Sequence, residues 1–258
     1  MAGSVAWITY APVKGLRLQS ADEVELGHAG APGDRRFHLV ADDGRLINGK
    51  FASQLLQVSA ESDPEGTLLT LRFPDGSMLQ REVELGEAVE TNFYGRPVQG
   101  HLVNGSFAAA LSDLAGMQLR LVRVDEPGDG TDRGTVAAVS CVSTAALDGL
   151  AGKAGVDQVD GRRFRMLFGI DGVDAHAEDG WLGRHVEFGD AVVVPHGLVG
   201  RCAVTTKSPE TGEKDLDTLR TIKRYRPDVD GEEPIPFGVF GSVERPGRVR
   251  VGDAVKPL

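Results

Sequence analysis

The 258-residue sequence predicts a mainly β protein, a barrel or sandwich with a few short helices. Most of its hydrophobic periodicity has the two-residue period of a strand. The predicted strands are short and separated by Gly, Pro and Asp, which favours a barrel over an alternating strand–helix layout. The 34 glycines form no repeat, so they indicate many turns and not a fibrous chain.

The strand pattern is clearest over residues 67–85, which are predicted to form a β-hairpin. Leu69 and Leu71 alternate with polar neighbours, and Pro74, Asp75 and Gly76 supply a tight turn. Further strands are predicted, in chain order, at 37–41, 118–124, 136–139, 163–170, 186–188, 191–195, 237–243 and 248–255.

Three segments have the spacing of short amphipathic helices. The first ends at Gly116, and the second follows a Ser143 cap and ends at Gly152. The third covers residues 216–226 behind an Asp215 cap. Its basic face is predicted to be solvated.

Composition excludes several functional classes. A net charge of −10 argues against a protein that binds duplex nucleic acid, because such proteins normally carry a basic face. The sequence has no Walker loop, dinucleotide fingerprint, nucleophile elbow or zinc signature. Without an apolar run long enough to cross a bilayer, and with only two cysteines, the chain is predicted to be a cytoplasmic protein that does not contact membranes.

Two kinds of side chain could carry chemistry. Cys202 offers a thiolate, a soft ligand for transition metals, although a lone cysteine in an apolar strand is more often structural. Cys141 has the same structural interpretation. Basic residues near predicted strand ends would form an anion site if the fold brought them together, namely Lys14, Arg35, Arg36, Arg163 and Arg165.

Short motifs follow one another in an order that resembles a known family. They lie at residues 10–15, 33–40, 111–116, 161–165, 178–181, 200–206, 237–238 and 247–253. In this order the chain resembles the MOSC family, named for the C-terminal domain of molybdenum cofactor sulfurase, together with its N-terminal β-barrel companion domain. The resemblance implies an N-terminal β domain at 1–95 and a MOSC β-barrel domain at 96–258.

The resemblance also implies a molybdenum cofactor, a molybdopterin held between the two domains. Cys202 matches the cysteine that ligates molybdenum in the reductase branch of the family. Lys14 and Arg36 match residues that contact the cofactor phosphate, and Arg165 matches an arginine near the pterin. The full set expected to bind the cofactor is Lys14, Gly15, Arg36, Lys50, Arg163, Arg165 and Arg201.

Three positions depart from the family pattern. Met166 and Leu167 stand where relatives often have Pro-Asn, so an amide donor and acceptor is missing. Gly15 replaces a usual serine, and Lys50 is the nearest basic residue where an arginine is usual. These departures leave open a member with altered cofactor binding.

The leading functional hypothesis is a molybdenum-dependent oxidoreductase that reduces a small N-oxygenated substrate and receives electrons from an electron-transfer protein. His176 and Asp179, beside Glu178, are candidates for lining the substrate mouth or relaying a proton, although an exposed loop is the simpler interpretation. One alternative is a sulfur carrier that holds a persulfide on Cys202. Another is a non-catalytic carrier of the cofactor.

Overall fold

The computed structural model describes residues 2–229 and 231–258 and confirms the mainly β prediction. Its strands are β1 (Gly3–Tyr10), β2 (Gln19–Ala21), β3 (Glu23–Leu26), β4 (Phe37–Val40), β5 (Leu46–Ile47), β6 (Ser59–Ser62), β7 (Leu68–Arg72), β8 (Met78–Glu82), β9 (Leu85–Phe93), β10 (Arg96–Val103), β11 (Arg120–Val124), β12 (Val139–Ser143), β13 (Phe168–Asp171), β14 (Val186–Phe188), β15 (Ala191–Gly200), β16 (Pro236–Arg245), β17 (Gly247–Arg250) and β18 (Ala254–Pro257). The α-helices are α1 (Ser106–Ala115), α2 (Thr144–Ala154) and α3 (Thr218–Tyr225).

A closed barrel forms the larger unit. Its strands follow the order β13, β12, β16, β15, β14, β18 and β1, and β1 pairs back with β13 to close it. Inward-facing side chains fill the centre, where the rings of Phe168 and Phe188 stack with centroids 5.2 Å apart. Closure leaves no long unpaired edge on this sheet.

The strand that closes the barrel was not among the predicted strands. β1 lies between β13 and β18, and a bulge between Val5 and Trp7 shifts its register. Trp7 stands opposite Gly169 of β13, where a Cβ atom would overlap the indole ring. Glycine at position 169 therefore allows the closing strands to approach.

The smaller unit is a five-stranded sheet with the order β5, β4, β11, β10 and β9, beside the three-stranded sheet β6, β7 and β8. Phe37, Leu39, Phe107 and Leu121 lie in its core. The predicted boundary at residues 95 and 96 falls inside the hairpin of β9 and β10. We propose instead that the first unit ends after β11, because that strand pairs with both β10 and β4, while β1 and β2 join the barrel.

Two predicted strands begin later in the chain than their hydrophobic patterns indicate. Residues Gly161–Phe164 form a 3₁₀ turn, because the carboxylate of Asp160 accepts the N–H of Arg162 at 2.9 Å. The strand predicted at 163–170 therefore begins only at Phe168. Residues Gly134–Ala137 form another 3₁₀ turn, so the strand predicted at 136–139 begins at its last residue.

The three helices are present, with two corrections at their ends. α1 ends at Gly116 as predicted. α2 continues past Gly152 and ends before Gly155, which adopts a left-handed conformation. Asp217, not Asp215, caps α3. None of the helices in residues 2–229 and 231–258 combines the length and apolar character needed to cross a bilayer.

The close contact across β1 and β13 predicts a sensitive position. Gly169→Ala should lower the free energy of unfolding by about 1–3 kcal/mol, because its methyl group overpacks against Trp7. Gly149→Ala is the matched control in α2, where the new methyl group meets open space and should raise stability by about 0.5–1 kcal/mol. Chemical denaturation of both variants measures the difference, and equal stabilities would contradict this account of closure.

Candidate functional site

A cavity of about 210 Å³ is lined by residues of both units. The N-terminal part of the chain contributes Lys14, Gly15, Asp34, Arg35, Asn48 and Tyr94. The barrel contributes Ser140, Arg163, Arg165, Leu167, Arg201 and Cys202. Five of the seven residues expected to bind the cofactor therefore lie on one cavity.

Cys202 follows β15 and precedes the 3₁₀ turn Ala203–Thr206. Its carbonyl accepts a hydrogen bond from the Thr205 hydroxyl at 3.1 Å, and that hydroxyl lies 2.7 Å from the hydroxyl of Thr218 in α3. Cys202 is exposed and lines the cavity, whereas Cys141 is buried. Burial raises the pKa of the Cys141 thiol well above its ordinary value. Cys202 is thus the cysteine available for chemistry.

Arg201 holds the segment before this cysteine in place. Its Nε donates to the carbonyl of Phe237 at 2.8 Å, and its Nη1 donates to the carbonyl of Phe164 at 2.9 Å. Burial lowers the pKa of Arg201 to about 9. Arg201 lines the cavity, but its donors are already used, so its role is to position the backbone. It joins the segment after β15 to β16.

Lys14, in the segment after β1, is buried and also lines the cavity. Its Nζ donates to the carbonyl of Gly130 at 3.0 Å, lies 2.7 Å from a carboxylate oxygen of Asp132, and stands 5.1 Å from the centroid of the Phe93 ring. Burial lowers the pKa of Lys14, although Asp132 opposes this shift. The polar loop at residues 125–134 therefore reaches the cavity.

Arg35 and Arg165 stand together beside Lys14. Both have left-handed backbone conformations, with φ of 52° and 54°. Arg35 Nη2 donates to the carbonyl of Arg165 at 3.1 Å, and Arg165 Nη2 donates to the carbonyl of Leu16 at 2.8 Å. Burial, with the nearby charge of Arg35, lowers the pKa of Arg165 to about 10.

The residues around Lys14 carry a net positive charge. Lys14, Arg35 and Arg165 contribute three cations, while Asp34 pairs with Arg35 and Asp132 pairs with Lys14. Desolvation on this crowded surface raises the pKa of Asp132, but the charges of Lys14, Arg35 and Arg96 together outweigh it, so the pKa is lowered. The Asp132 side chain is 54% exposed. The arrangement suits an anionic ligand such as a phosphate ester.

Gly15 allows a close contact with the backbone of Asn48 that a serine side chain would block. Its φ is +91°, and a Cβ atom would lie 2.9 Å from the Cα of Asn48. Glycine here lets the turn at Asn48 and Gly49 pack beside Lys14, and all of these residues line the cavity. The departure from the family serine therefore has a local structural reason.

Arg163 lines the cavity, but its terminal nitrogens already form an ion pair. Its two terminal nitrogens each donate to an oxygen of Asp215 at 2.7 Å. This ion pair explains why Asp215 does not cap α3. The Arg163 Nε is buried without a protein hydrogen-bond partner among the described residues.

Four predicted site residues do not line the cavity. Arg36 donates to the carbonyls of Glu65 and Asp125 at 3.3 Å, so Arg35 and not Arg36 supplies the cavity guanidinium. Lys50 is exposed, with its ammonium 5.3 Å from the centroid of the Phe51 ring. The other two are His176 and Asp179, which lie elsewhere on the barrel.

The substitution at Leu167 is compensated in part by a neighbouring strand. Leu167 is buried with Met166, and its N–H donates to the hydroxyl of Ser140 at 3.1 Å. Ser140 itself lines the cavity. A hydroxyl thus lies beside Leu167, and Phe164 and Phe240 add apolar surface to the cavity lining.

Sequence reasoning missed residues that reach the cavity from irregular segments. Arg133 pairs with Glu232 and Glu233 and lies 4.5 Å from the centroid of the Phe240 ring. Tyr94 is 72% exposed and lines the cavity from the turn between β9 and β10. The charged pair Asp132 and Arg133 was visible in the sequence, but its polar loop resembles a solvated connection.

Family models and known proteins match this chain over most of its length. A family model described as the MOSC N-terminal beta barrel domain matches residues 2–117, and one described as the MOSC domain matches residues 129–256. Human mitochondrial amidoxime-reducing component 1 is 24% identical over 98% of this chain and 82% of its own length. Bovine mitochondrial amidoxime reducing component 2 is 27% identical with the same coverage. Among solved structures, the Bacillus subtilis YuaD protein is 14% identical, with a TM-score of 0.45 over 99% of this chain and 94% of that chain.

The position of the cavity cations predicts different roles for two adjacent arginines. Arg35→Gln should weaken pyrophosphate binding about tenfold, because one charge-assisted contact is lost. Arg36→Gln removes the same charge outside the cavity and should change the affinity by less than about twofold.

Isothermal titration calorimetry at fixed low salt, on protein free of bound phosphate esters, measures both dissociation constants. An equal loss in the two variants would indicate a general charge effect and would contradict the assignment of Arg35.

Proposed function

This chain belongs to the MOSC family, and we propose that it is a molybdenum-cofactor-dependent oxidoreductase that reduces small N-oxygenated compounds with Cys202 as the protein ligand to the metal. The observation that supports the proposal most directly is the presence of one accessible thiol and a net cationic wall on the same cavity. The relatives named as amidoxime-reducing components supply the substrate class.

The residues present fit the two chemical ends of a molybdopterin. A phosphate group requires cationic donors, which Lys14, Arg35 and Arg165 provide. A transition metal held by sulfur requires a soft ligand, which Cys202 provides.

In this proposal the cofactor, when bound, supplies two-electron oxygen-atom-transfer chemistry. Reduction of an N-hydroxylated substrate breaks its N–O bond, consumes two electrons and two protons, and releases the oxygen as water. The electrons come from an external electron-transfer protein. Lys14, Arg35 and Arg165 would hold the phosphate, and Arg201 would keep Cys202 in position through its bonds to the carbonyls of Phe164 and Phe237.

The apolar side of the cavity would contribute water exclusion. Phe164, Met166, Leu167 and Phe240 line it, so a small substrate would lie against a low-dielectric wall. His176 and Asp179 have no part in this proposal as substrate-lining or proton-relaying groups, because neither lines the cavity. The relatives are named as mitochondrial, and the cytoplasmic location of this chain stays a prediction.

Elemental analysis tests the ligand assignment. Protein from a cofactor-replete host should contain about one molybdenum per chain, and Cys202→Ala should contain little, because the soft protein ligand is gone. Cys141→Ala is the matched control, since it removes the buried cysteine and should keep its molybdenum. Full retention of molybdenum and activity by Cys202→Ala would overturn the assignment.

The exposure of Cys202 also favours a second candidate, a persulfide carrier. Incubation with a cysteine desulfurase and intact-mass measurement distinguish the two. The oxidoreductase should reduce an amidoxime with an added electron donor and should show no reducible extra sulfur on Cys202. A persulfide on Cys202, with no molybdenum and no amidoxime reduction, would favour sulfur transfer instead.

A further inference from the structure

A compact cluster of potential metal ligands lies outside the cavity. His176, Glu178 and Asp179 occupy the start of the 3₁₀ turn Ala177–Trp181, and each offers one ligand atom within 4.8 Å of the others. His176 itself has a left-handed backbone, with φ of 63°. This conformation gathers three side chains from only four consecutive residues.

In each of the three side chains, one polar atom is already bound to the protein. Glu178 Oε1 accepts the N–H of Ser143 at 3.1 Å. Asp179 Oδ2 accepts from the Arg226 guanidinium at 2.6 Å, and His176 Nε2 lies 3.1 Å from the Tyr225 hydroxyl. These contacts fix the side chains from outside, as partners of metal ligands commonly do.

The second polar atom of each side chain is buried and has no hydrogen-bond partner among the described residues. These atoms are Glu178 Oε2, Asp179 Oδ1 and His176 Nδ1. Glu178 is fully buried, so its free oxygen has no access to bulk solvent. Three unsatisfied buried atoms within one turn are unusual in a folded protein, where buried polar groups normally have partners.

The carboxylate of Glu178 has no direct ion pair among the described residues. Asp179 pairs with Arg226, whereas the Arg201 guanidinium acts on Glu178 only from a distance. A buried excess negative charge requires a proton or a cation. A divalent ion held among these three side chains would supply that cation.

We propose that His176, Glu178 and Asp179 bind a divalent transition-metal ion through one imidazole nitrogen and two carboxylate oxygens, at a site separate from the cavity that holds Cys202. The mixed nitrogen and oxygen ligand set is compatible with Zn²⁺, which binds both His nitrogen and carboxylate oxygen. Tetrahedral zinc needs ligand atoms roughly 3.5 Å apart, so small rotations of the partly exposed His176 and Asp179 side chains complete the site. A water molecule would take the fourth position.

A metal ion at this site would stabilise the aromatic residues that lie next to the cavity. The His176 ring meets Phe237 edge-on at 5.1 Å, and Phe237 stacks on the cavity residue Phe164 at 4.5 Å. Through Tyr225 and Arg226, the same cluster contacts the end of α3. A bound ion would therefore tie together the turn, the helix and the aromatic pair.

Zinc titration of chelator-treated protein tests the site. The titration uses the Cys202→Ala background, which removes the exposed thiol as a competing ligand. Competition with a chromophoric chelator should detect one Zn²⁺ per chain, and Glu178→Gln should weaken binding by about tenfold to hundredfold. Glu244→Gln, which makes the same change at an exposed residue of β16, should bind as the parent does.

Two further measurements distinguish loss of a metal ligand from misfolding of the Glu178→Gln variant. Asp179→Asn changes a partly exposed ligand and should also weaken zinc binding. Zinc-edge X-ray absorption on the Cys202→Ala protein should show nitrogen and oxygen ligands without sulfur. Absence of zinc uptake, or equal affinity in Glu178→Gln and Glu244→Gln, would overturn the proposal and would leave the molybdenum proposal for Cys202 unaffected.

Discussion

Closure of the barrel by β1 is the constraint on which the candidate site depends. β1 pairs with β13 on one side and with β18 on the other, so the first strand of the chain completes a sheet built from its second half. Immediately after it, the N–H of Lys14 donates to the carbonyl of Phe37 at 2.7 Å and Val13 forms a bridge with the same residue. The segment between the two units is thereby fixed, and Lys14 is brought to the cavity.

The cavity shows how an acidic chain can hold an anion site. Net charge describes the whole surface, whereas binding depends on the few groups that line one wall. Lys14, Arg35 and Arg165 are placed there by backbone contacts, and Asp34 and Asp132 reduce their mutual repulsion. Burial of such cations without partners would be costly, so the two carboxylates stabilise them.

The two cysteines illustrate how position decides chemistry. Cys141 lies inside β12, where burial keeps its thiol protonated. Cys202 lies where β15 gives way to a turn fixed by Thr205 and Arg201, and its side chain stays exposed on the cavity. Strand ends followed by rigid turns are suitable positions for reactive groups, because the scaffold orients them while the cavity remains open.

The strand period, the turn residues and the ordered motifs determined the fold class, the family and the choice of Cys202, because these are local signals. Local patterns could not reveal that β1 closes the barrel, that a 3₁₀ turn replaces the strand predicted at residue 163, or that Arg35 and not Arg36 faces the cavity. The placement of His176 and Asp179 in a separate cluster was equally hidden. The tertiary structure decided these points, since each depends on which distant backbone groups a strand, a turn or a guanidinium meets.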